Sequence, residues 1–245
     1  MSFICQLIIF VKNFMNNNPG RAVPITQEIF QVGGGQLTSS EDAAIYLINF
    51  AGHAALVDCG GGAAPARLLA NIQAGGVNLD QIEYLLLTHC HYDHTGGVQA
   101  LKDLLHFQIV AHELDAPFLE KGDNVVTAAK WYGAKIQPFQ VDYKISGSKE
   151  DITLGGRIIQ AIHTPGHSPG SLVYLTESAG KKVLFAQDVH GPLHSDLKSN
   201  QRDYQRSLEL ILFLEADILC EGHYGVYQGK KEVAGFIRRF LSTRD

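Results

Sequence analysis

Two kinds of hydrophobic pattern divide this chain. Apolar runs, either alternating or continuous, predict strands at 25–32, 43–50, 53–60, 82–88, 107–112, 141–145, 151–156, 157–164, 171–177, 181–188 and 216–222. Apolar residues at helical spacing predict helices at 65–75, 96–104, 113–120, 124–132, 201–215 and 231–241. Because two β-rich halves are each followed by helices, the pattern predicts two β-sheets packed face to face with helices outside.

The bulk composition fits one large domain. The 245 residues are 45% hydrophobic, which is ample for a sizeable core. We assign residues 25–245 to that domain and residues 1–24 to an N-terminal extension of uncertain order. The apolar run "FICQLIIFV" in this extension is too short to span a bilayer and lacks the features of a secretory signal. We therefore expect no membrane span and a cytoplasmic location.

Charge and cysteine content narrow the expected partners. The formal net charge of −5 disfavours nucleic-acid binding, which needs a basic surface. None of the four cysteines forms a C-x-x-C pair, so the sequence predicts neither a zinc ribbon nor a disulfide framework. We expect a small-molecule substrate and leave homodimer formation open.

The segment "YLLLTHCHYDHTG" concentrates metal-binding chemistry directly after a predicted buried strand. Strand alternation places His89 and His91 on the same side of the chain, and Asp93 and His94 follow at the turn into a helix. Imidazole and carboxylate ligands suit zinc and similar divalent metals. Four candidate ligands within six residues exceed what one catalytic zinc takes from such a segment. The segment therefore predicts two metals.

The remaining ligands are expected at the ends of other strands. His167 lies in the turn "HTPGHSPGS", Asp188 ends "VLFAQD", and His223 follows "ADILCEG". Each alone is a weak signal, because histidine and aspartate are common at strand ends and turns. Two packed sheets would bring all three to one edge.

In this order, the motifs "THCHYDH", "HTPGHSPGS", "AQD" and "EGHYG" resemble those of the metallo-β-lactamase superfamily. The resemblance implies an α/β fold, a four-layer αββα sandwich of two mixed β-sheets flanked by helices. It also implies that His89, His91 and His167 hold one metal, that Asp93, His94 and His223 hold the second, and that Asp188 bridges both. Asp58, in "LVDCG", matches an aspartate that supports the metal loop by orienting a ligand.

The resemblance further implies a hydrolase with two zinc ions per chain, or manganese or iron in their place. A hydroxide shared by the two metals would attack a small carboxylic ester, lactone or thioester, and Asp93 would orient it or move a proton. The alternatives are a phosphodiesterase or ribonuclease on the same metal core, a sulfur dioxygenase with one iron, and a metal-binding protein without catalysis. The β-lactamases of this family lack the bridging aspartate, so β-lactam hydrolysis is disfavoured.

Several other polar and aromatic residues are candidates for substrate binding. They are His190, His194, Tyr204, Tyr224 and Trp131. The two histidines follow Asp188 and are candidates for protonating a leaving group. The tyrosines are candidates for hydrogen bonding to a substrate carbonyl oxygen.

Overall fold

The computed structural model describes residues 19–186 and 188–241. Residues 1–18, which form most of the predicted extension, lie outside the described residues, as do 187 and 242–245. The described chain forms two β-sheets. The first contains β1 (Val23–Pro24), β2 (Ile29–Gly33), β3 (Ile45–Phe50), β4 (His53–Val57), β5 (Ile82–Leu86), β6 (Gln108–His112) and β7 (Tyr143–Ile145). The second contains β8 (Lys149–Leu154), β9 (Arg157–His163), β10 (Leu172–Ser178), β11 (Lys181–Phe185), β12 (Ile218–Cys220) and β13 (Val226–Gln228).

Both sheets are mixed, as expected. The first has the order β1-β2-β3-β4-β5-β6-β7, antiparallel from β1 to β4 and parallel from β4 to β7. The second has the order β13-β12-β11-β10-β9-β8, and its one parallel pair among the described residues is β11–β12. The antiparallel strands β3 and β4 form a hairpin. Its turn, Ala51-Gly52, uses two residues at positive φ, which suits a tight turn between twisted strands.

Three hydrophobic clusters define the layers. Side chains such as Tyr46, Ile48 and Phe185 form the core between the two sheets. The neighbouring residues Ile45 and Leu47 belong to a second cluster on the outer face of the first sheet. Because alternate residues of β3 enter different clusters, this strand is buried on both faces, which explains its continuous apolar sequence. A third cluster covers the outer face of the second sheet.

Helices supply the outer layers of the sandwich. They are α1 (Pro65–Ala74), α2 (Tyr92–Thr95), α3 (Val98–Lys102), α4 (Ala116–Lys121), α5 (Gln201–Phe213) and α6 (Lys230–Leu241). α1 and α3 contribute to the cluster on the first sheet, and α5 and α6 to that on the second. α5 begins where the Asn200 side chain accepts a hydrogen bond from the Asp203 N–H, at 3.0 Å. The predicted four-layer αββα arrangement is confirmed.

The structure corrects two predictions of local structure. The strand predicted at 25–32 begins at Ile29, and the separate short strand β1 precedes it. The helix predicted at 124–132 is a series of turns followed by a 3₁₀ helix, Ala129–Tyr132. Ala128 has φ of 57°, which ends any helix, and the Asp123 side chain accepts hydrogen bonds from the N–H groups of Val125 and Val126.

Candidate metal centre

The loop after β5 positions four of the predicted ligands. His89 and His91 lie on the extended segment that leaves β5, and Asp93 and His94 lie on the single turn of α2. Backbone hydrogen bonds hold this turn in place. The Tyr92 N–H donates to Thr127 O at 2.7 Å, and the Ala43 N–H donates to Asp93 O at 3.1 Å.

The structure brings the other three predicted ligands to the same place. His167 comes from the β9–β10 loop, Asp188 follows β11, and His223 follows β12. The ligand atoms of His89, His91 and His167 lie within 4.8 Å of one another. Those of Asp93, His94, Asp188 and His223 form a second group of the same compactness. The two groups match the division that the sequence resemblance implies.

Asp188 lies between the two groups. One of its oxygens, Oδ2, is 3.5 Å from His167 Nε2 and 3.4 Å from His223 Nε2. The other, Oδ1, is 3.2 Å from His94 Nε2. Asp93 reaches the second group only, with Oδ2 at 3.0 Å from His223 Nε2. Asp188 is therefore a carboxylate that approaches histidines of both groups.

Hydrogen bonds on the outer side of the rings fix three histidine tautomers. The Thr88 hydroxyl donates to Asp58 Oδ2, so it can only accept from His89 Nδ1, at 3.0 Å. His94 Nδ1 donates to Asp58 Oδ2 at 2.7 Å, and His167 Nδ1 donates to Pro192 O at 2.9 Å. Because Nδ1 makes this outer hydrogen bond in each ring, Nε2 is the nitrogen left to bind a metal once any proton on it is displaced, and His89 Nε2 lies 3.0 Å from His91 Nδ1.

Unpartnered buried atoms test whether a metal fits here. His91 Nε2, His94 Nε2, His167 Nε2 and Asp188 Oδ1 are buried without a hydrogen-bond partner. Each such atom costs about 1–3 kcal/mol unless something satisfies it. Imidazole nitrogens and carboxylate oxygens converging at one point are the ligands that divalent cations such as zinc take. The residues present therefore fit a bound divalent metal.

The protonation of the histidines differs between the two groups. Burial, and then the neighbouring histidines, hold the pKa of His89 well below its usual range, and burial lowers the pKa of His91 and His167. In the second group burial would lower the His94 pKa, but Asp188, Asp58 and Asp93 raise it well above normal. The pKa of His223 is raised to about 10, because Asp188 and Asp93 outweigh burial. Without metal, protons supply the positive charge that these carboxylates require.

Asp58 makes hydrogen bonds to the loop that carries the candidate ligands. Its Oδ1 accepts from the Thr88 N–H at 2.8 Å, and its Oδ2 accepts from the Thr88 hydroxyl and from His94. One carboxylate thereby fixes the start of the loop and the ring of a ligand in the second group. Asp58 has φ of 60°, an unusual conformation that places it beside the loop.

Asp115 is a supporting residue that the sequence interpretation missed. Fully buried, its carboxylate accepts from the Cys90 N–H at 3.0 Å, the Ser168 hydroxyl at 2.6 Å and the Gly170 N–H at 2.6 Å. Cys90 lies between two ligands, and Ser168 follows His167, so Asp115 joins two ligand loops. Its position before α4 and Pro117 is typical of a helix cap, yet the side chain makes no capping hydrogen bond.

Glu221 is a second residue that the sequence interpretation missed. Its buried carboxylate accepts from the N–H groups of His223 and Tyr224, both at 2.7 Å, through Oε2. Its Oε1 lies 2.8 Å from His190 Nδ1. Glu221 thus shapes the loop that carries His223 and also orients His190. The adjacent Gly222 is required for space, because a Cβ there would lie 2.4 Å from Asp188 Oδ1.

The predicted substrate-binding residues lie in different environments. Trp131 and Tyr224 are about half exposed or more, at 50% and 60%. Trp131 contacts His194 edge to face, with ring centroids 5.5 Å apart, and His190 contacts Tyr224 at 4.8 Å. His194 Nδ1 accepts from the Asp196 N–H at 3.1 Å, which caps a 3₁₀ helix, Ser195–Leu197. Of these four, His190 also contacts a residue of the second group, His223, with ring centroids 5.3 Å apart.

The prediction for Tyr204 is wrong. The residue is buried, and its hydroxyl already donates to Val189 O, so it is not offered to a substrate. Tyr204, Leu208 and Ile211 form the buried face of α5, and the aromatic ring belongs to the core of the second sheet. Tyr132, in contrast, lies beside Asp93 of the second ligand group. Burial, and then the charge of the adjacent Asp93, raise the pKa of its phenol.

Comparison with known proteins identifies the family. The model of the metallo-beta-lactamase superfamily matches residues 41–223, and the chain belongs to this superfamily. Two solved metallo-β-lactamases have the same fold. The enzyme from Cronobacter sakazakii superposes with a TM-score of 0.75 at 21% identity, covering 94% of each chain. BJP-1, a subclass B3 enzyme of Bradyrhizobium japonicum, gives 0.73 at 23% identity and 91% coverage of each chain.

Curated relatives share part of the chain at higher identity. A hydroxyacylglutathione hydrolase of Haemophilus influenzae is 33% identical over 138 residues, which is 56% of this chain and 61% of that protein. An acyl-coenzyme A thioesterase of Gallus gallus is 31% identical over 166 residues, or 59% and 57% of the two chains. A probable metallo-hydrolase of Methanocaldococcus jannaschii is 27% identical over 124 residues, or 51% and 58%. The chain thus matches about three fifths of each relative's length.

These findings place the chain among metallo-hydrolase homologues with a His/Asp cluster able to hold metal. Within residues 19–186 and 188–241, no helix is both long and apolar enough to cross a membrane.

Proposed function

We propose that this protein is a dinuclear zinc hydrolase of a small carboxylic ester, lactone or thioester. The observation that carries the proposal is the pair of ligand groups joined by Asp188, with buried nitrogen and oxygen atoms that lack a hydrogen-bond partner among them. Relatives named hydroxyacylglutathione hydrolase and acyl-coenzyme A thioesterase favour a thioester or a related carboxylic ester.

The ligands divide between two ions. His89, His91 and His167 would hold one ion, and Asp93, His94 and His223 the other, with Asp188 available to both. A bound metal pair lowers the pKa of a shared water and polarises a carbonyl oxygen. Imidazole binds metal through a neutral nitrogen, and the depressed pKa of the buried histidines of the first group keeps them in that form at neutral pH.

Asp93 is the residue we assign to orienting the nucleophile. Nearby His94 and the hydrogen bond from His223 hold its pKa below the usual value, even though burial would raise it. An ionised carboxylate here can accept a hydrogen bond from an attacking water and then its proton. Tyr132, beside Asp93, has a phenol positioned to donate a hydrogen bond in the same region.

We assign to His190 the protonation of the leaving group of the substrate. Glu221 accepts from its Nδ1, at 2.8 Å, so its Nε2 stays free to accept or donate a hydrogen bond. The ring contacts both His223 and Tyr224, with centroids 5.3 and 4.8 Å away, which places it at the edge of the second group.

A substrate panel tests the proposal. Protein stripped with EDTA and reloaded with zinc or manganese is assayed on S-lactoylglutathione, an acyl-coenzyme A, a lactone, 4-nitrophenyl acetate and bis(4-nitrophenyl) phosphate. We expect metal-dependent hydrolysis of at least one carboxylic substrate and loss of about 100-fold or more in Asp188→Ala, beyond the usual effect of removing a group that only supports a ligand. Hydrolysis of the phosphodiester alone, or full activity in metal-free protein, would overturn the proposal.

A further inference from the structure

A cleft of about 360 Å³ opens beside the second ligand group. His223 and Gly222 line its inner end, and the β2–β3 loop, residues 34–42, lines one side. The cleft also reaches Gln31 on β2, Val23 on β1 and the side chain of Arg21. It therefore connects the candidate metal centre with a cation on the edge of the first sheet.

The strand register sets the length of this cleft. The Ala44 N–H donates to Gly222 O at 2.7 Å, next to the start of β3, while Gln31 pairs with Tyr46 on one side and with Val23 on the other. Neighbouring strands lie about 4.8 Å apart, so the backbones of β3 and β1 are about 10 Å apart across the sheet, and Arg21 lies two residues before β1.

Arg21 supplies the charge of the cleft. Two other ionisable residues line it, His223, already assigned to the metal centre, and Asp42. The carboxylate of Asp42 is buried, accepting from the Thr38 hydroxyl at 2.6 Å and from the Gly61 N–H at 2.8 Å. Among the described residues, no carboxylate forms an ion pair with the exposed Arg21 guanidinium. Its charge is thus available to a ligand.

One buried side chain holds the walls of the cleft together. Asn71, on α1, accepts from the Arg21 N–H at 2.8 Å and donates to Val32 O at 2.8 Å and Leu37 O at 3.0 Å. Gly20 lies directly against α1, where a Cβ would be 1.9 Å from Ala70 O. The backbone at Arg21 is therefore fixed relative to the β2–β3 loop, which reduces the ordering needed when a ligand binds.

We propose that Arg21 and this cleft recognise an anionic group, a carboxylate or a phosphate, at the opposite end of the substrate from the bond that is hydrolysed. The guanidinium binds both anions through paired hydrogen bonds, and Gln31, Gln36 and Ser40 add polar side chains along the cleft. This inference rests on the proposed function, since it places the reacting group at the metal centre. It narrows the substrate class to acyl compounds that carry a negative charge.

The test compares three 4-nitrophenyl esters of equal chain length whose far ends are a methyl group, a carboxylate or a phosphate. We measure the ratio of kcat/KM for each charged ester to that for the neutral ester, using zinc-loaded protein. Arg21→Gln should lower this ratio about tenfold. This is the lower end of the effect expected for losing a hydrogen bond to a charged group, because Arg21 is exposed. Arg21→Glu should lower it further. Arg202→Gln, which removes an exposed arginine on α5 away from the cleft, should leave it unchanged. The ester with the larger ratio in the wild type identifies the anion.

A binding measurement separates this inference from the proposed function. Suberate, a dicarboxylate whose chain length matches that of the esters, is titrated calorimetrically into the zinc-loaded wild type, Arg21→Gln and Arg202→Gln. Weaker binding to Arg21→Gln alone, by about tenfold, supports the cleft even if no ester is hydrolysed. Equal specificity ratios and equal suberate affinities in all three proteins would overturn the inference, while leaving ester hydrolysis intact.

Discussion

At the scale of single residues, the histidines of the centre divide into two protonation classes. Those of the first group have depressed pKa values and are neutral at pH 7, whereas His94 and His223 have raised values and are protonated in the metal-free protein. A metal must displace those protons, because a protonated imidazole has no free lone pair.

We predict that zinc binding releases protons and strengthens as the pH rises. The proton on His223 stabilises the metal-free fold below the unfolded histidine value of about 6.5, and this contribution is lost as the pH rises through about 10. In the folded protein the proton competes with zinc at every pH below about 10, so zinc affinity rises with pH throughout this range. Chelator competition at pH 6.5, 7.5 and 8.5, with calorimetry in two buffers, measures affinity and proton release. Zinc affinity that is constant across this range would contradict the assignment.

Asp58 gives a second prediction at this scale. Asp58→Asn keeps the shape of the side chain but removes the charge that orients the His94 ring through the 2.7 Å hydrogen bond. We expect zinc affinity to fall about 10- to 100-fold, the usual effect of such a partner, with little change in circular dichroism. Asp80→Asn, at an exposed aspartate outside the site, is the matched control. Equal zinc affinity in the two variants would refute the role given to Asp58.

The residues predicted from sequence and those missed differ in a physical way. His89, His91, Asp93 and His94 form a contiguous signal, and the remaining ligands stand at strand ends. Asp115 hydrogen-bonds to the N–H groups of Cys90 and Gly170, 25 and 55 residues away in the chain, and Glu221 contacts His190, 31 residues away, so only the folded chain brings these partners near. Such partners leave no trace in sequence spacing. Tyr204 was misassigned because its place on the buried face of α5 depends on the orientation of the helix.

At the scale of elements, the loops at the ends of β5 and β9 act together. Asp115 links them, because it accepts hydrogen bonds from Cys90 in one loop and from Ser168 and Gly170 in the other. The strands themselves were predictable from continuous apolar runs. The loop at 124–132 was not, since side chains of Asp123 and Asn124 replace the helical hydrogen bonds there.

We predict that Asp115→Ala weakens metal binding as well as stability. The change leaves two buried N–H groups and the Ser168 hydroxyl without their acceptor, and each unsatisfied donor costs about 1–3 kcal/mol. Urea unfolding of the metal-free protein measures the loss, and zinc content at fixed free zinc measures the effect on the centre. Asp115→Asn, which retains an acceptor oxygen, should recover part of both. A loss of stability with unchanged zinc affinity would show that Asp115 acts on the core alone.

At the scale of the whole molecule, two sheets bring ligands from distant segments to one edge. β5 belongs to the first sheet, whereas β9, β11 and β12 belong to the second, and the core between the sheets includes side chains from all four strands. The layer arrangement followed from the order of strands and helices. The short edge strands β1 and β13 could not be predicted, because a strand of two or three residues carries too little hydrophobic pattern.

We predict that metal binding stabilises the entire fold. Ions that bind the native state alone add stability, by about 4 kcal/mol at a concentration 1,000 times the dissociation constant. Thermal unfolding with and without EDTA should show a clear drop in Tm on chelation. The variant Asp188→Ala, which lacks the carboxylate shared by the two groups, should show a smaller drop. Identical Tm values for the wild type with and without EDTA would contradict this prediction.

The central claim is that two metals held by these seven side chains perform hydrolysis. The most direct measurement combines elemental analysis of zinc-reconstituted protein with the rate of thioester or ester hydrolysis in the same samples at increasing zinc content. We predict that activity rises with zinc up to about two equivalents per chain, one for each ligand group. Full activity in protein without bound zinc would contradict this prediction. So would a failure to hydrolyse any carboxylic substrate when both ligand groups hold zinc.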